Sequence, residues 1–334
     1  MTVLVTGASG FLGGRLAEML VERGEHVRVL ARGSSDLRHL SHLQIHTVRG
    51  DLDAAAALAE AVRGVRAIYH CAACSTDWAP LQTYIATNVR GTQNLLDAAV
   101  RAGSVERFVH VSTTDVYGYP QAPCDESAPR RDVGLPYNRT KIQGEEAVWK
   151  AHREHELPAT VVRPATIFGP RGKDFVVEIA EMLRQRMMLL ISNRQVRDGR
   201  VRGGFTYVDN MATAMMDAAA SPATLGRAYN ISDGSGATWR EYTNALADAL
   251  GYKRPWLRLS FPAAMALGRT MEIPHGWLKL KGRPLLTRHA VHLLGQDQEF
   301  PTARARADFG FAPRVSLAEG IERSAAWVRS QRPL

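Results

Sequence analysis

The chain opens on an apolar run, Val3-Leu4-Val5, that passes directly into Thr6-Gly7-Ala8-Ser9-Gly10-Phe11-Leu12-Gly13 and then into an amphipathic stretch. Strand, glycine-rich turn and helix in that order constrain the fold more than anything else in the sequence. Missing side chains let backbone N–H groups approach an anion, and a helix N-terminus favours its negative charge. The glycines are spaced GxxGxxG, not GxGxxG, and Thr6 and Ser9 supply hydroxyls that tie the loop. The turn alone says only that a pyrophosphate has a cradle. A second signal, 124 residues beyond Gly13, gives it meaning: in Tyr137-Asn138-Arg139-Thr140-Lys141, a phenol and an ammonium stand at i and i+4 on one helix face. Together the two imply nicotinamide chemistry.

The spacing between these signals predicts repeated βαβ units. Apolar runs at 3–6, 27–31, 45–49, 67–71, 108–112 and 159–163 read as strands, and 12–23, 54–62, 83–102 and 137–156 as helices. Right-handed crossovers then give an α/β, Rossmann-type doubly wound parallel sheet with its crevice at the carboxyl ends of the strands. Beyond Pro164 the pattern loosens into helical segments near 175–186, 209–221, 239–250 and 317–329, separated by short strands and Gly/Pro loops. The expected division is a dinucleotide-binding domain over 1–170 and a smaller α+β substrate-binding lobe over 171–334, with segments around 204–231 returning to the first domain.

At 334 residues with 45% hydrophobic and 22% charged residues, the chain has the composition of a globular protein. No stretch reaches the ~20 uninterrupted apolar residues of a membrane span, and the N-terminus reads as a strand rather than a leader, so the cytoplasm is the expected location. Three cysteines make no disulfide framework. Cys71-Ala72-Ala73-Cys74 lacks a second Cys/His pair and reads as a small-residue strand end, so no metal is expected. The formal charge of +9 is concentrated from Lys253 to Leu334, where 14 Lys/Arg face 6 Asp/Glu. The charges are scattered, without a basic run, which argues for a solvated face and against nucleic acid; an anionic small-molecule substrate is the other reading.

The end of the second strand bears on the cofactor. An acidic residue there would bind a ribose 2′-hydroxyl; instead Ala31 is followed by Arg32, Ser34 and Ser35. A guanidinium with two hydroxyls suits a 2′-phosphate, so NADP(H) is expected over NAD(H). Asp51 and Leu52 close the third strand, where the carboxylate would take the adenine amino group or cap the following helix. Ala72 and Ala73 close the fourth and leave room for a ribose. A free phenol is a poor base near neutral pH. The Lys141 ammonium and an oxidised nicotinamide are expected to favour phenolate at Tyr137, which then passes a proton as hydride moves.

In family order the chain carries TGASGFLG, GDL, HCAA, NVRGTQN, VSTTDVYG, YNRTK and RPATIFGP. It therefore resembles an extended short-chain dehydrogenase/reductase, closely over 2–170 and more loosely through 205–210 and 227–231. The resemblance implies that Thr113 joins Tyr137 and Lys141 as the catalytic hydroxyl, with Thr114 a neighbouring substrate contact. It implies that Asn88 is structural, that Pro164, Thr166 and Ile167 pass beside the nicotinamide, and that a homodimer forms through the helices at 83–102 and 137–156. The Thr113-Thr114-Asp115 sequence lacks the acid pair of the sugar dehydratases. Asp198-Gly199-Arg200 echoes a segment of nucleotide-sugar epimerases that keep NAD bound. The C-terminal runs 282–289, 298–300 and 307–311 look more like the branch of 3β-hydroxysteroid dehydrogenases and 2-alkyl-3-oxoalkanoate reductases, which implies ketone/secondary-alcohol chemistry on an apolar 3-oxo or 3-hydroxy substrate. In that reading 261–271 and 187–190 line the pocket, and Arg283 or Arg288 pairs with a substrate anion. A non-catalytic dinucleotide sensor is the minor alternative.

Overall fold

In the computed structural model, which describes residues 1–196, 198–277 and 282–331, the strand expectations translate into one central sheet. Its strands are β1 (Thr2–Thr6), β2 (His26–Ala31), β3 (His46–Arg49), β4 (Ala67–His70), β5 (Arg107–Val111), β6 (Ala159–Pro164) and, much later, β10 (Ala228–Ile231). Their order is β10-β6-β5-β4-β1-β2-β3, and every pairing is parallel. The strands are nearly continuous apolar runs because both faces are covered. Val3 and Val5 are fully buried in the core on one face, while Leu4 is buried with Ile68 and Phe108 on the other. Burying one such side chain contributes about 1.5–3 kcal/mol.

The helices beside the sheet are α1 (Phe11–Glu22), α2 (Ala55–Val62), α3 (Leu81–Tyr84), α4 (Thr92–Ala102), α5 (Pro136–His155), α6 (Glu178–Arg184), α7 (Val208–Ala220) and α8 (Trp239–Leu250). Two short pairs stand apart from the main sheet: β7 (Thr166–Phe168) with β9 (Phe205–Tyr207), and β8 (Leu189–Ser192) with β11 (Leu257–Ser260). The C-terminal region continues with α9 (Phe261–Trp277), α10 (Arg288–Gly295), α11 (Ala303–Phe309) and α12 (Leu317–Gln331). No described helix is long and apolar enough to cross a membrane.

Two departures from the sequence expectation matter for the site. The helix expected without interruption over 83–102 contains a π-helical turn, Ile85–Gly91, between α3 and α4. That extra residue brings Asn88 inward, where its amide accepts from Cys74 N at 2.8 Å and donates to Cys74 O at 3.1 Å and Thr140 Oγ1 at 3.2 Å. Asp51 does not cap α2 either. The helix N-cap is Ala54, without a side-chain cap, and the Asp51 carboxylate accepts from its neighbour Leu52 N at 2.7 Å.

Candidate active site

The turn between β1 and α1 has no room for a side chain at Gly7 or Gly13. Gly7 takes φ +73°, and a Cβ there would sit 2.7 Å from Ala72 N; at Gly13 it would sit 2.4 Å from Gly7 O. The loop is closed by Gly10 N donating to Gly7 O at 2.9 Å. Ser9 and Gly10 are exposed at its tip, Leu12 is buried in the core, and Phe11 turns back over the chain at 169–172, its ring 3.3 Å from where a Gly172 Cβ would stand. A dinucleotide pyrophosphate fits this cradle of backbone and helix N-terminus.

Thr6 is spent within the protein. Ala72 N donates to its hydroxyl oxygen at 3.2 Å, and Thr6 Oγ1 lies 2.8 Å from His70 Nδ1. On the other side His70 Nε2 lies 2.9 Å from Thr92 Oγ1, whose own proton goes to Asn88 O. The chain of donors assigns the proton to Nε2, and burial holds this imidazole neutral, its pKa pushed down to about 3. Thr6 thus locks the ends of β1 and β4 together, with Ala72 held and Ala73 beside it. Cys71 and Cys74 are free thiols; burial pushes the Cys71 thiol up to about 12, and no cluster of metal-ligating residues occurs among the described residues.

At the end of β2, Arg32 is exposed, and its guanidinium has no hydrogen-bond or ion-pair partner among the described residues; Ser34 and Ser35 follow it. The nearby Asp36 carboxylate is engaged by Arg38, Nη2 to Oδ2 at 2.6 Å. Asp51 is exposed at the end of β3 and Leu52 is buried beneath it. Pro164 ends β6 and Thr166 and Ile167 begin β7; the buried Thr166 hydroxyl has no partner among the described residues.

The sequence-derived trio comes together at the ends of β5 and α5. Thr113 is the N-cap of a 3₁₀ turn over Thr114–Tyr117 and accepts from Asp115 N at 3.2 Å, which leaves its proton free. That hydroxyl acts on the Tyr137 phenol, whose pKa it lowers. Lys141, one turn along α5 from Tyr137, is buried, and its ammonium donates to Val111 O at 2.6 Å. Burial lowers its pKa to about 8 against the opposing pull of Glu145. The phenol departs from the sequence expectation. Desolvation and then the Asp115 carboxylate push the Tyr137 pKa up, and only the Thr113 hydrogen bond opposes them. In the protein alone Tyr137 is therefore a proton donor. Thr114 is buried, and its hydroxyl has no partner among the described residues.

Tyr137 lines a cavity of about 450 Å³ shared with Trp78, Tyr84, Arg269, Ile273 and His289. Of the expected segment 261–271 only Arg269 lines it; Glu272, Ile273 and Trp277 further along α9 do so instead, while Phe261, Ala264 and Met265 pack with Ile191 and Val291. Residues 187–190 do not reach it; Met188 and Leu190 are buried in the core instead. Arg283 and Arg288 are not free for a substrate anion: Arg283 pairs with Asp77 at 3.0 Å and with Glu178, and Arg288 pairs with Glu272 at 2.6 Å. A second cavity of about 510 Å³ lies at the outer edge of the sheet among Arg130, Arg163, Arg227 and Arg304, each already facing a carboxylate.

Behind the trio lies a buried ion pair that sequence spacing did not reveal. Glu145 on α5 and Arg163 on β6 are joined through both carboxylate oxygens, and Ser112, Trp149 and Arg130 also donate to Glu145. Arg163 donates in turn to Tyr117 Oη at 2.8 Å, which donates to Asn230 Oδ1 at 2.7 Å. Sequence reasoning also passed over Asp115 and His289 as partners, because they lie 174 residues apart.

Residues 3–232 match the family described as NAD dependent epimerase/dehydratase. A 2-alkyl-3-oxoalkanoate reductase from Stenotrophomonas maltophilia is 36% identical over 97% of this chain and 98% of its own length. A 4-hydroxy-2-methyl-3-oxo-4-farnesyl-3,4-dihydroquinoline-1-oxide ketoreductase from Stigmatella aurantiaca is 31% identical over 96% of this chain and 95% of its own. Among solved structures, a dTDP-glucose 4,6-dehydratase from Streptomyces venezuelae with NAD bound superposes with a TM-score of 0.80 and 26% identity, covering 99% of this chain and 98% of that one.

Proposed function

The chain belongs to the NAD-dependent epimerase/dehydratase family, and from that premise we propose that it is an NADP(H)-preferring oxidoreductase acting on a ketone/secondary-alcohol pair of the 3-oxo/3-hydroxy type. The observation that carries this reading is the protonated Tyr137 phenol, backed by the Thr113 hydroxyl and opening on the cavity. The likeness to two ketone reductases supports it.

In this reading Gly7, Ser9, Gly10, Phe11, Leu12 and Gly13 hold the pyrophosphate, Arg32 the 2′-phosphate, and Asp51 and Leu52 the adenine. Ala72, Ala73, Pro164, Thr166, Ile167 and Lys141 surround the nicotinamide end. When bound, the cofactor supplies or accepts hydride. Tyr137 donates its phenolic proton to the carbonyl oxygen, and Thr113 holds that oxygen and the phenol in line. Charge then developing on Tyr137 is met by the Thr113 proton and by Lys141, whose ammonium form predominates below pH of about 8. Trp78 and Tyr84 give the cavity an aromatic wall beside the reacting oxygen. A homodimer through α4 and α5 is part of the proposal, tested by mass in solution.

A nucleotide-sugar epimerase with retained NAD is the second reading, favoured by the structural likeness to the NAD-bound dehydratase. Against it, Asp198 and Arg200 are engaged by Arg202 and Glu241. Fluorescence titration with NADPH and NADH, with a check for nucleotide carried through purification, separates the two. Exchangeable NADPH bound more tightly than NADH supports the reductase; retained NAD refutes it and brings nucleotide sugars forward as substrates.

A further inference from the structure

α9 is packed on one side only. Ala264 is buried with Ile191 and Val291, and Glu272 ties the helix to Arg288 at the start of α10, at 2.6 Å. The opposite side faces solvent, where a surface helix ordinarily carries its charged residues. Here it carries almost none. Ala266, Leu267, Thr270, Ile273, Pro274 and Trp277 are exposed at the three- and four-residue spacing that makes one stripe on a helix. Trp277 is 86% exposed and Ile273 52%. The one hydroxyl in the stripe, Thr270 Oγ1, donates back to Leu267 O at 2.8 Å. The stripe therefore presents no free hydrogen-bonding side chain. Five of the eight large hydrophobic side chains exposed among the described residues lie in this stretch of chain: Trp256, Leu267, Ile273, Trp277 and Leu285. Such clustering marks a surface that meets something other than water.

The charge that accompanies the stripe has one sign. Arg269 stands one turn before Ile273, exposed and without a hydrogen-bond or ion-pair partner among the described residues, and Arg258 on β11, which leads into α9, is exposed in the same way. From Ile273 to Gln296 the sequence holds Lys279, Lys281, Arg283 and Arg288 and no Asp or Glu; Arg283 and Arg288 meet carboxylates from elsewhere, as described above. We propose that α9 docks on an anionic lipid surface, lying in its plane with Ile273 and Trp277 among the acyl chains and Arg269 against the headgroups. Its chemistry favours lipid over protein. A protein interface uses about one hydrogen bond per 100–200 Å², whereas hydrocarbon asks for none and the stripe offers none. A second copy of the chain would bring the same cations face to face, while anionic headgroups meet them with opposite charge. No described helix can cross a membrane, and an interfacial helix has no need to; tryptophan is suited to that boundary. Arg269, Ile273 and Trp277 also line the cavity that holds Tyr137. The docked face is thus the cavity's mouth, through which an apolar substrate passes from bilayer to phenol; that consequence rests on the catalytic reading of Tyr137, whereas the docking stands without it.

The test is co-sedimentation of the full chain with vesicles of phosphatidylcholine alone and of phosphatidylcholine mixed equally with phosphatidylglycerol, at low and high salt. Wild type is compared with the double variant Ile273→Asn/Trp277→Ser and with Leu267→Gln, none of which changes a charge. The expected result is binding to the phosphatidylglycerol vesicles that weakens with salt and exceeds binding to phosphatidylcholine by about tenfold or more. The double variant should lower that partition coefficient by about tenfold or more, equivalent to ~1.4 kcal/mol, with Leu267→Gln between it and wild type. Urea unfolding verifies that each variant folds; if the double variant does not, Leu267→Gln decides by the same comparison. Equal binding to both vesicles, unchanged binding in the variants, or no binding at all overturns the proposal, the last leaving the stripe to a protein partner. A dimer in solution that dissociates in the double variant also overturns it, by placing a second copy on the stripe. Vesicle binding needs no turnover, so an inactive but lipid-bound protein refutes the reductase reading alone, and an active protein that ignores vesicles refutes the docking alone.

Discussion

Replacing Arg163 with methionine isolates the buried pair behind the active site. The Arg163 side chain is 5% exposed and that of Glu145 is fully buried. The substitution removes two donors from the Glu145 carboxylate, one from Tyr117 Oη, and a guanidinium 5.1 Å from the Tyr117 ring centroid. Breaking a buried pair by deleting one partner costs about 3–5 kcal/mol, mostly for the charge left behind. Here Ser112, Trp149 and Arg130 remain on the carboxylate, at 2.9, 3.1 and 3.1 Å, which brings the expectation to about 2–4 kcal/mol. Against a total stability of about 5–15 kcal/mol that is a large fraction. Urea unfolding of wild type, Arg163→Met, Glu145→Gln and the double variant completes the cycle. Neutralising the stranded carboxylate should make the double variant more stable than additivity predicts, by about 1 kcal/mol or more. A single-variant cost below about 1 kcal/mol, or strict additivity, would refute the reasoning.

Tyr137→Phe should leave NADPH affinity within about twofold and lower turnover by about 10²-fold or more; stopped-flow turnover at saturating cofactor checks it, and retained rate would remove Tyr137 as the proton donor. Arg32→Ala should weaken NADPH by about tenfold or more, the loss of one charge-assisted phosphate contact, with NADH nearly unchanged; equal effects on both would take the 2′-phosphate away from Arg32. Asp233 bears on stability against pH. Burial pushes its carboxyl up to about 7, and one oxygen has no partner among the described residues. The folded state thus binds this proton more tightly than the unfolded chain does, so its contribution is present at low pH and is lost as pH rises from about 4 through about 7. Asp233→Asn should flatten that part of the melting-temperature profile and exceed wild type by about 1–3 kcal/mol at pH 8; parallel profiles would count against the raised carboxyl.

The parts of the fold legible in the sequence were those where one local rule settles the outcome. Val3-Leu4-Val5 must be a strand buried on both faces, and Gly7 and Gly13 leave only a tight turn between it and α1. Tyr137 and Lys141 share a face because helix spacing requires it, whatever else packs nearby. Their proton energetics were not legible, since Asp115 and the desolvation that dominate Tyr137 arise from tertiary packing. The short helices α10 and α11 escaped because Arg288-His289 and Arg304-Ala305-Arg306 break the apolar periodicity that announces a helix. Arg283 and Arg288 read as free cations only while their carboxylate partners, far off in sequence or on α9, were unseen. The π turn has no compositional mark, because Ile85-Ala86-Thr87-Asn88 would serve equally well in an α-helix.

That turn makes the segment between α3 and α4 sensitive to chain length rather than to side-chain identity. Deleting one residue from 85–91 would let the ladder relax to regular α spacing and swing everything before it by about 100° around the axis. The Asn88 amide would then leave the Cys74 backbone it holds from both sides. A shortened helix would form better hydrogen bonds and build a worse site, so here an irregularity in the backbone serves as an alignment pin.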